Sequence, residues 1–193
     1  MSGGRGRKRS ETSRQAILEA AFALMQEDGF DHLSIEGVAT RAGTGRTTIY
    51  RWWPSRGVLA VEAFLASTEP LIAFAHSGSA RDDMVQQMRA LAALYRGPTG
   101  RLVREMIGAA QHDQAMREAF SSGFLEPRRE QARAVFRRGV AAGEFRTGID
   151  ADLAIDALYA PIYYRLFASG ASIDDDFIAR HAELVLRSIA PES

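Results

Sequence analysis

The stretch SIEGVATRAGTGRTTIYRWWPSR, residues 34–56, decides the fold of this chain. It contains two short helical patterns that are joined by a break at residues 42–44. Gly43 permits the left-handed backbone that a tight turn needs. The resulting helices, predicted over 35–42 and 45–52, are arranged as in a helix-turn-helix, so duplex DNA is the first partner to consider.

The second of these helices carries side chains suited to bases and phosphates. The Arg46 guanidinium can bond a guanine or clamp a phosphate, and the Thr47 and Thr48 hydroxyls can bond a base edge or the backbone. Tyr50 presents a hydroxyl on a rigid arm, whereas Ile49 has no polar group and is predicted to anchor the helix in the core. The residues predicted to contact DNA are Ser34, Thr44, Arg46, Thr47, Thr48, Tyr50, Arg51 and Arg56.

An alternative interpretation of the same residues is a helical hairpin in which they only cap the helices, face solvent or pack in the core. Each residue fits that reading singly, and packing is the expected role of Trp52 and Trp53. The ordered combination of turn glycine, Thr-Ile-Tyr, tryptophan and Pro-Ser-Arg favours DNA reading instead.

The net charge of zero does not itself indicate a nucleic-acid binder, but the charge is unevenly distributed. Residues 1–57 hold nine Lys and Arg against six Asp and Glu, whereas residues 58–193 hold fifteen against eighteen. Four of the basic residues lie with Gly and Ser within residues 1–12, which predicts a disordered basic arm. An ordinary frayed terminus is the alternative, and contact between the arm and the minor groove stays open.

Several classes of protein are disfavoured by what the chain lacks. It has no Cys, hence no disulfide or thiolate metal site, and it has no apolar run of about 18 residues that could span a membrane. No apolar leader precedes Ile17. We therefore expect a cytoplasmic protein that is not embedded in a membrane and that uses neither a metal nor another cofactor.

The whole chain shows helical spacing of its apolar residues, with no convincing alternating strand pattern. This predicts an all-α fold of about nine to ten helices, with a three-helix head over 13–57 and a helical lobe over 58–193. The predicted helices outside the motif cover 13–28, 56–75, 80–96, 99–112, 113–122, 124–142, 150–169 and 174–189.

The residues that carry a family resemblance lie between about 13 and 60. They are Phe22, Ile35, Val38, Ala39, Ala42-Gly43, Thr48-Ile49-Tyr50 and Trp53-Pro54-Ser55-Arg56. This set resembles the N-terminal domain of TetR-type transcriptional regulators. The resemblance implies that Tyr50 touches a phosphate, that Thr48 contacts DNA backbone or base, and that Arg56 binds phosphate from the fourth helix. Gly45, Thr47 and Trp53 depart from the usual pattern, so the operator sequence cannot be transferred.

The last two helices are candidates for a dimer interface. Specific DNA binding by one helix-turn-helix needs a second copy about one helical turn away, and these helices are too apolar to leave exposed. TetR-type proteins dimerise through a four-helix bundle from this region, although burial within one chain would also explain the pattern. The predicted interface residues are Leu158, Ile162, Leu166, Phe177, His181, Leu184 and Val185.

The central helices are candidates for an effector site. Their Met and aromatic residues can form a core or can line a pocket for an apolar or aromatic small molecule. The family resemblance, in which a bound molecule spreads the two heads, favours some pocket residues. Those predicted are Met88, Leu91, Tyr95, Arg104, Met106, Ile107, Gln111, His112, Phe120, Phe124 and Tyr163.

The function predicted from the sequence is that of a DNA-binding transcriptional regulator. We expect a repressor that binds a palindromic operator as a homodimer and is released by an effector. The alternative is a helical protein-interaction adapter without DNA binding. An enzyme is not expected, because the chain has no Cys, no His-Glu-x-x-His and no Gly-x-Ser-x-Gly, and its four His are dispersed.

Overall fold

The computed structural model describes the backbone of residues 4–191 and the side chains of residues 10–191. The described residues contain only helices, turns and loops, which confirms the all-α prediction. The α-helices are α1 Gly4–Asp28, α2 Ile35–Arg41, α3 Arg46–Tyr50, α4 Arg56–Thr68, α5 Ala80–Arg96, α6 Pro98–Ala110, α7 Gln114–Phe120, α8 Glu126–Ala141, α9 Ala151–Tyr164 and α10 Asp175–Ser188. Among these described helices, none is both long and apolar enough to cross a membrane.

Two helix boundaries differ most from the sequence prediction. Helix α1 begins at Gly4 rather than Ser13, so residues 4–12, which the sequence predicted to be part of a disordered arm, are helical. Five of the nine residues 4–12 are Arg, Lys or Glu, which favour helix, and none is proline. Residues 1–3 lie outside the described residues. Helix α4 ends at Thr68 instead of residue 75 and continues as a 3-10 turn, because Pro70 cannot continue an α-helix.

The chain divides into two compact units. The first unit is Met1–Pro70 with Arg101–Phe124, and the second is Leu71–Gly100 with Leu125–Ser193. This division does not follow the boundary between 57 and 58 that the sequence suggested. The first unit includes α7 and most of α6 from the middle of the chain. This tertiary association cannot be predicted from a local sequence pattern.

The first unit is built around α4. Helix α4 packs against α1 and α7, while α2 packs against α1 and α3. The side chains of Ile17, Met25 and Phe64 are fully buried. A Cβ placed on Gly57 would lie 3.1 Å from the Met116 sulfur, so the absence of a side chain there permits the close approach of α4 to α7. The helix-turn-helix is therefore supported by α1, which α4 and α7 back in turn.

The second unit contains α5, α8, α9 and α10 and encloses a buried carboxylate. Helix α5 packs against α8 and α10, and α9 packs against both α8 and α10. Asp83 is 0% exposed, and its carboxylate accepts hydrogen bonds from the Ser77 amide, the Ser77 hydroxyl and Arg138. Burial raises the pKa of Asp83, but the bonds from Ser77 and Arg138 outweigh it and leave the pKa below its usual value.

Candidate nucleic-acid interface and cavity

Helix α2 begins at a hydrogen-bonded cap. Ser34 is the N-cap, and its Oγ accepts from the Gly37 amide at 3.1 Å. A Cβ on Gly37 would lie 3.1 Å from that Oγ and 3.6 Å from Leu24 Cδ1. The glycine, unfavourable in a helix, thus leaves room for the cap and for α1.

The turn between α2 and α3 is fixed by its backbone. Gly43 adopts φ +62°, its amide donates to the Thr40 carbonyl at 3.3 Å, and the Thr44 amide donates to the Ala39 carbonyl at 3.0 Å. This is the Schellman arrangement, which satisfies the last carbonyls of α2. Helix α3 then begins after Gly45, an N-cap without a side-chain bond.

Two buried residues hold α3 in place. Ile49 is 0% exposed and Trp53 is 1% exposed, as expected for an anchor and a packing residue. The Trp53 indole nitrogen donates to the carboxylate of Glu62 on α4, which also pairs with Arg14 on α1. Glu62 thus joins α1, α4 and the end of the motif and helps to hold α3 in place. As a single acidic residue on α4, it gave no signal in the sequence.

The opposite side of α3 is polar and open to solvent. Arg46, Thr47, Tyr50 and Arg51 are exposed, with Tyr50 at 55%, while Thr48 is half-buried. Thr44 precedes the helix and is also half-buried. The structure thus brings the predicted contact residues of α3 to the outer side of the motif.

Arg46 is held by an ion pair inside the motif. Its guanidinium lies 2.7 Å from Glu36 of α2, and both side chains are 64% exposed. The hydrogen bond from Arg46 lowers the pKa of Glu36, so the carboxylate is charged at neutral pH. Any contact of Arg46 with DNA must therefore compete with Glu36.

Arg56 makes backbone contacts at the start of α4. Its Nη1 donates to the carbonyls of Asp31 and Leu33, each at 3.0 Å, and its guanidinium lies 4.9 Å from the centroid of the Phe30 ring. This arginine joins α4 to the loop between α1 and α2. The sequence suggested only a phosphate contact and did not indicate this second role.

A residue far along the chain holds the same loop. Glu105 Oε2 accepts from the Phe30 amide at 2.8 Å, and Glu105 lies within the part of α6 that belongs to the first unit. Gly29 adopts φ +92° beside it, and a Cβ there would lie 3.2 Å from that oxygen. Glu105 therefore supports the base of the motif from α6.

The second unit contains a cavity of about 290 Å³. Its walls come from α5, α8 and α9 and from the segments that precede α5 and α8. The lining residues are Phe74, Gln87, Leu91, Leu125, Arg128, Arg129, Ala132, Ile155, Asp156, Tyr159, Ala160 and Tyr163. The lining is mostly apolar and aromatic with a few polar groups, which is typical of small-molecule sites.

Most residues predicted to bind a ligand do not line this cavity. Leu91 and Tyr163 do, and the Tyr95 hydroxyl lies 3.3 Å from that of Tyr163. Met88 is buried in the second unit and is not among the lining residues. The others lie in the first unit, where some form its core and some are exposed or half-buried: Arg104, Met106, Ile107, Gln111, His112, Phe120 and Phe124. Core packing explains the apolar members, because Met and Phe serve a core as well as a pocket.

The residues predicted for a dimer interface divide into two groups. Leu158, Ile162 and Leu166 are 1%, 0% and 6% exposed, so they are buried within their own chain and present no surface to a partner. Leu184 is 72% exposed. The remaining ones, Phe177, His181 and Val185, are half-buried. Apolar spacing predicts which face of a helix is buried, but it does not distinguish burial within a chain from burial between chains.

Comparison with known proteins identifies the family. Residues 17–63 match the family model for bacterial regulatory proteins of the tetR family, and residues 74–185 match that for the tetracyclin repressor-like C-terminal domain. The HTH-type transcriptional regulator YdeS of Bacillus subtilis is 34% identical over 92% of this chain and 90% of its own. The DNA-binding transcriptional repressor TetR of Mycobacteroides abscessus is 30% identical over 92% of this chain and 94% of its own.

A solved structure gives the same result. The TetR family transcription regulator SCO0332 superposes with a TM-score of 0.84 at 32% identity, covering 93% of this chain and 99% of that one. The two matched regions, the full-length relatives and the exposed polar side of α3 all agree. The chain belongs to the TetR family of DNA-binding transcriptional regulators.

Proposed function

We propose that the protein is a homodimeric repressor that binds a palindromic operator through α3 of each copy and leaves it when a small molecule occupies the cavity. The observation that carries the DNA-binding part is the two-sided character of α3, with Ile49 buried and Arg46, Thr47 and Tyr50 exposed. Repression is favoured by the name of the Mycobacteroides relative. A bacterial repressor acts where the chromosome is, so we propose a cytoplasmic location.

Each exposed residue of the motif has a proposed role at the DNA. Arg46, Thr47 and Thr48 read bases and nearby backbone, and Tyr50 bonds a phosphate. Ser34 at the start of α2 and Thr44 and Arg51 beside α3 contact the DNA backbone. Arg56 supports the loop after α1 through Nη1 and offers the rest of its guanidinium to a phosphate.

The exposed apolar side chains of α9 and α10 support a dimer. Leu153 and Tyr164 on α9 are 69% and 63% exposed, Phe167 in the turn that follows α9 is 39% exposed, and Leu184 on α10 is 72% exposed. Large apolar residues left exposed on one chain are typical of protein interfaces. We propose that these four residues, rather than the buried Leu158, Ile162 and Leu166, meet the second copy.

Selection of bound sequences from a random pool of duplex DNA tests the DNA-reading proposal. We expect an enriched palindrome with half-sites about one helical turn apart and an affinity that falls steeply with salt. Arg46→Ala should weaken binding about tenfold, whereas Arg89→Ala, an equal loss of charge on α5, should have little effect. No duplex binding at low salt would contradict the proposal and favour an interaction adapter.

Sedimentation analysis tests the dimer separately. Leu184→Glu places a charge on the proposed interface and should yield monomers that retain their helical circular dichroism. Leu71→Glu, the same change at a leucine that is 62% exposed and lies outside α9 and α10, is the control for a general surface effect. A Leu184→Glu protein that stays dimeric would show that the copies meet elsewhere.

A further inference from the structure

The cavity in the second unit is at the small end of the range for small-molecule sites. Its volume is about 290 Å³. Such sites span roughly 300–1,000 Å³, and a cavity of about 150 Å³ is enough to hold benzene. Flat and branched apolar walls are supplied by Phe74, Leu91, Ile155 and Tyr159. A compact molecule of one or two rings therefore fits, with most of its surface against apolar side chains.

A glutamine interrupts the buried apolar face of α5. Gln87 lies one turn after Asp83 and one turn before Leu91, and all three residues are buried. Gln87 lines the cavity and is 3% exposed, whereas the adjacent Gln86 is exposed. Glutamine is seldom fully buried, because its amide then loses its hydrogen bonds to water. The amide of Gln87 must therefore find its partners inside the second unit.

Only the nitrogen end of the Gln87 amide has such a partner within the described residues. Its Nε2 donates to the Ile72 carbonyl at 3.3 Å. Because a carbonyl oxygen can only accept, this bond fixes which end of the amide is the oxygen. Gln87 Oε1 has no hydrogen-bond partner among the described residues. A buried acceptor without a donor is costly, and an N–H or O–H group placed in the cavity would satisfy it.

The two tyrosines of the lining differ from Gln87, because both have partners within the protein. The Tyr163 hydroxyl lies 3.3 Å from that of Tyr95, and the Tyr159 hydroxyl donates to the Met84 sulfur at 3.9 Å. Burial raises the pKa of Tyr159 and Tyr163, so both phenols are uncharged at neutral pH. The tyrosines thus act as uncharged aromatic walls, and the oxygen of Gln87 is the acceptor that still needs a donor.

We infer that the cavity binds a compact aromatic molecule of one or two rings that carries an N–H or O–H donor, and that this donor bonds Gln87 Oε1. The inference rests on the proposed function, in which this cavity is the effector site. It adds the chemical class of the effector, which is a phenol, an arylamine or a nitrogen heterocycle with an N–H group. It also adds the residue that selects this class.

Calorimetry with the full-length protein and two matched pairs of probes tests the inference. Indole and benzofuran have nearly the same shape, but benzofuran has a ring oxygen in place of the N–H donor. In the second pair, 3-fluorotoluene replaces the hydroxyl of 3-methylphenol by fluorine. We expect the better-bound donor probe to bind about tenfold more tightly than its partner without a donor. Equal affinities within both pairs would overturn the inference, and so would the absence of binding by both donor probes at millimolar concentration.

A variant assigns the selectivity to Gln87. Gln87→Met removes the acceptor at nearly constant length, so the preference for the donor probe should fall below about twofold. Gln86→Met, the same change at the adjacent exposed position, should leave the preference unchanged. A purely structural role of Gln87 would instead weaken both members of a pair equally, and a preference that persists in Gln87→Met would overturn the inference. Circular dichroism checks that each variant is folded, and the comparison of probes in the wild type does not depend on the variants.

The outcome can be separated from that of the proposed function. Operator affinity is measured with and without the same four probes. Donor probes that bind with the expected preference but leave operator affinity unchanged would support the donor site and contradict its effector role. Release of the operator by benzofuran or 3-fluorotoluene at the same concentrations as by their donor partners would contradict the donor inference and leave the effector role intact.

Discussion

The recognition segment, residues 34–56, and the cavity of the second unit are assembled in opposite ways. The recognition segment takes all its exposed polar side chains from one continuous stretch, and a turn and two buried anchors aim them outward. The cavity takes its polar groups from three helices, with Gln87, Arg128 and Tyr163 far apart in sequence. A local motif can be predicted from the spacing of residues in the sequence, whereas a site that is assembled by tertiary packing cannot.

Charge also has a different use in the two regions. In the recognition segment Arg46 and Glu36 are largely exposed, so their pairing contributes little to stability but decides what charge faces the DNA. In the second unit Asp83 is fully buried and its partners hold the packed helices. Charge changes should therefore alter binding in the first region and folding in the second.

Asp83→Asn should have the largest effect. It leaves Arg138 facing a neutral amide and weakens the bonds from Ser77, and we expect a loss of about 3 kcal/mol in the free energy of unfolding, measured by chemical denaturation. Asp82→Asn, on the exposed side of the same first turn of α5, should cost less than about 1 kcal/mol. Equal losses in the two variants would contradict the proposed importance of the buried carboxylate.

The same carboxylate predicts a pH dependence. Because the pKa of folded Asp83 lies below the ordinary value of 3.8, its stabilisation is complete above that value and is lost as the pH falls through the folded pKa. The difference in unfolding free energy between the wild type and Asp83→Asn should therefore be greatest near pH 6 and smaller at pH 3. A difference that grows on acidification would contradict a lowered pKa of Asp83 in the folded state.

Gly43→Val tests whether the recognition segment depends on its backbone. The left-handed conformation at φ +62° should cost a branched residue about 1–2 kcal/mol, although nothing lies within 4 Å of its Cβ. We expect operator affinity to fall about tenfold or more, with no change in small-molecule binding by the second unit. Gly45→Ala is the matched control, since Gly45 has φ −87° and equally open surroundings, and its affinity should stay within about twofold.

The contrast also explains how much could be predicted from the sequence. Helical periodicity, Gly43 and Pro54 are local signals, so the helices and the motif were predicted with the right order and with Ile49 as the anchor. Glu62 and Glu105 reach the motif from α4 and α6. The sequence does not indicate which group a single carboxylate in an amphipathic helix will bind, so the contacts of Glu62 and Glu105 could be identified only from the structure.

The cavity and the proposed dimer surface show the same limit. Met106 and Leu158 both lie in apolar stripes, yet each is buried in the core of its own unit. Periodicity identifies a buried face but not what buries it. Polar residues were no better guide to the cavity, because Gln87 and Arg128 line it and neither was predicted from the sequence.

Glu36→Gln should have the smallest effect and the opposite sign. It frees Arg46 from its ion pair and removes a negative charge from the side of the motif that meets phosphates, so operator affinity should rise by about three- to tenfold and depend more steeply on salt. Glu27→Gln removes an equal charge from the pair between Glu27 and Arg41, and it should change affinity by less than about twofold. Since both variants lose one negative charge, a difference between the two titrations reports the effect of the position of that charge. If Glu36→Gln weakens binding instead, the ion pair serves to hold Arg46 in its DNA-reading conformation, and the exposed charges of the recognition segment have a structural role like that of Asp83 in the second unit.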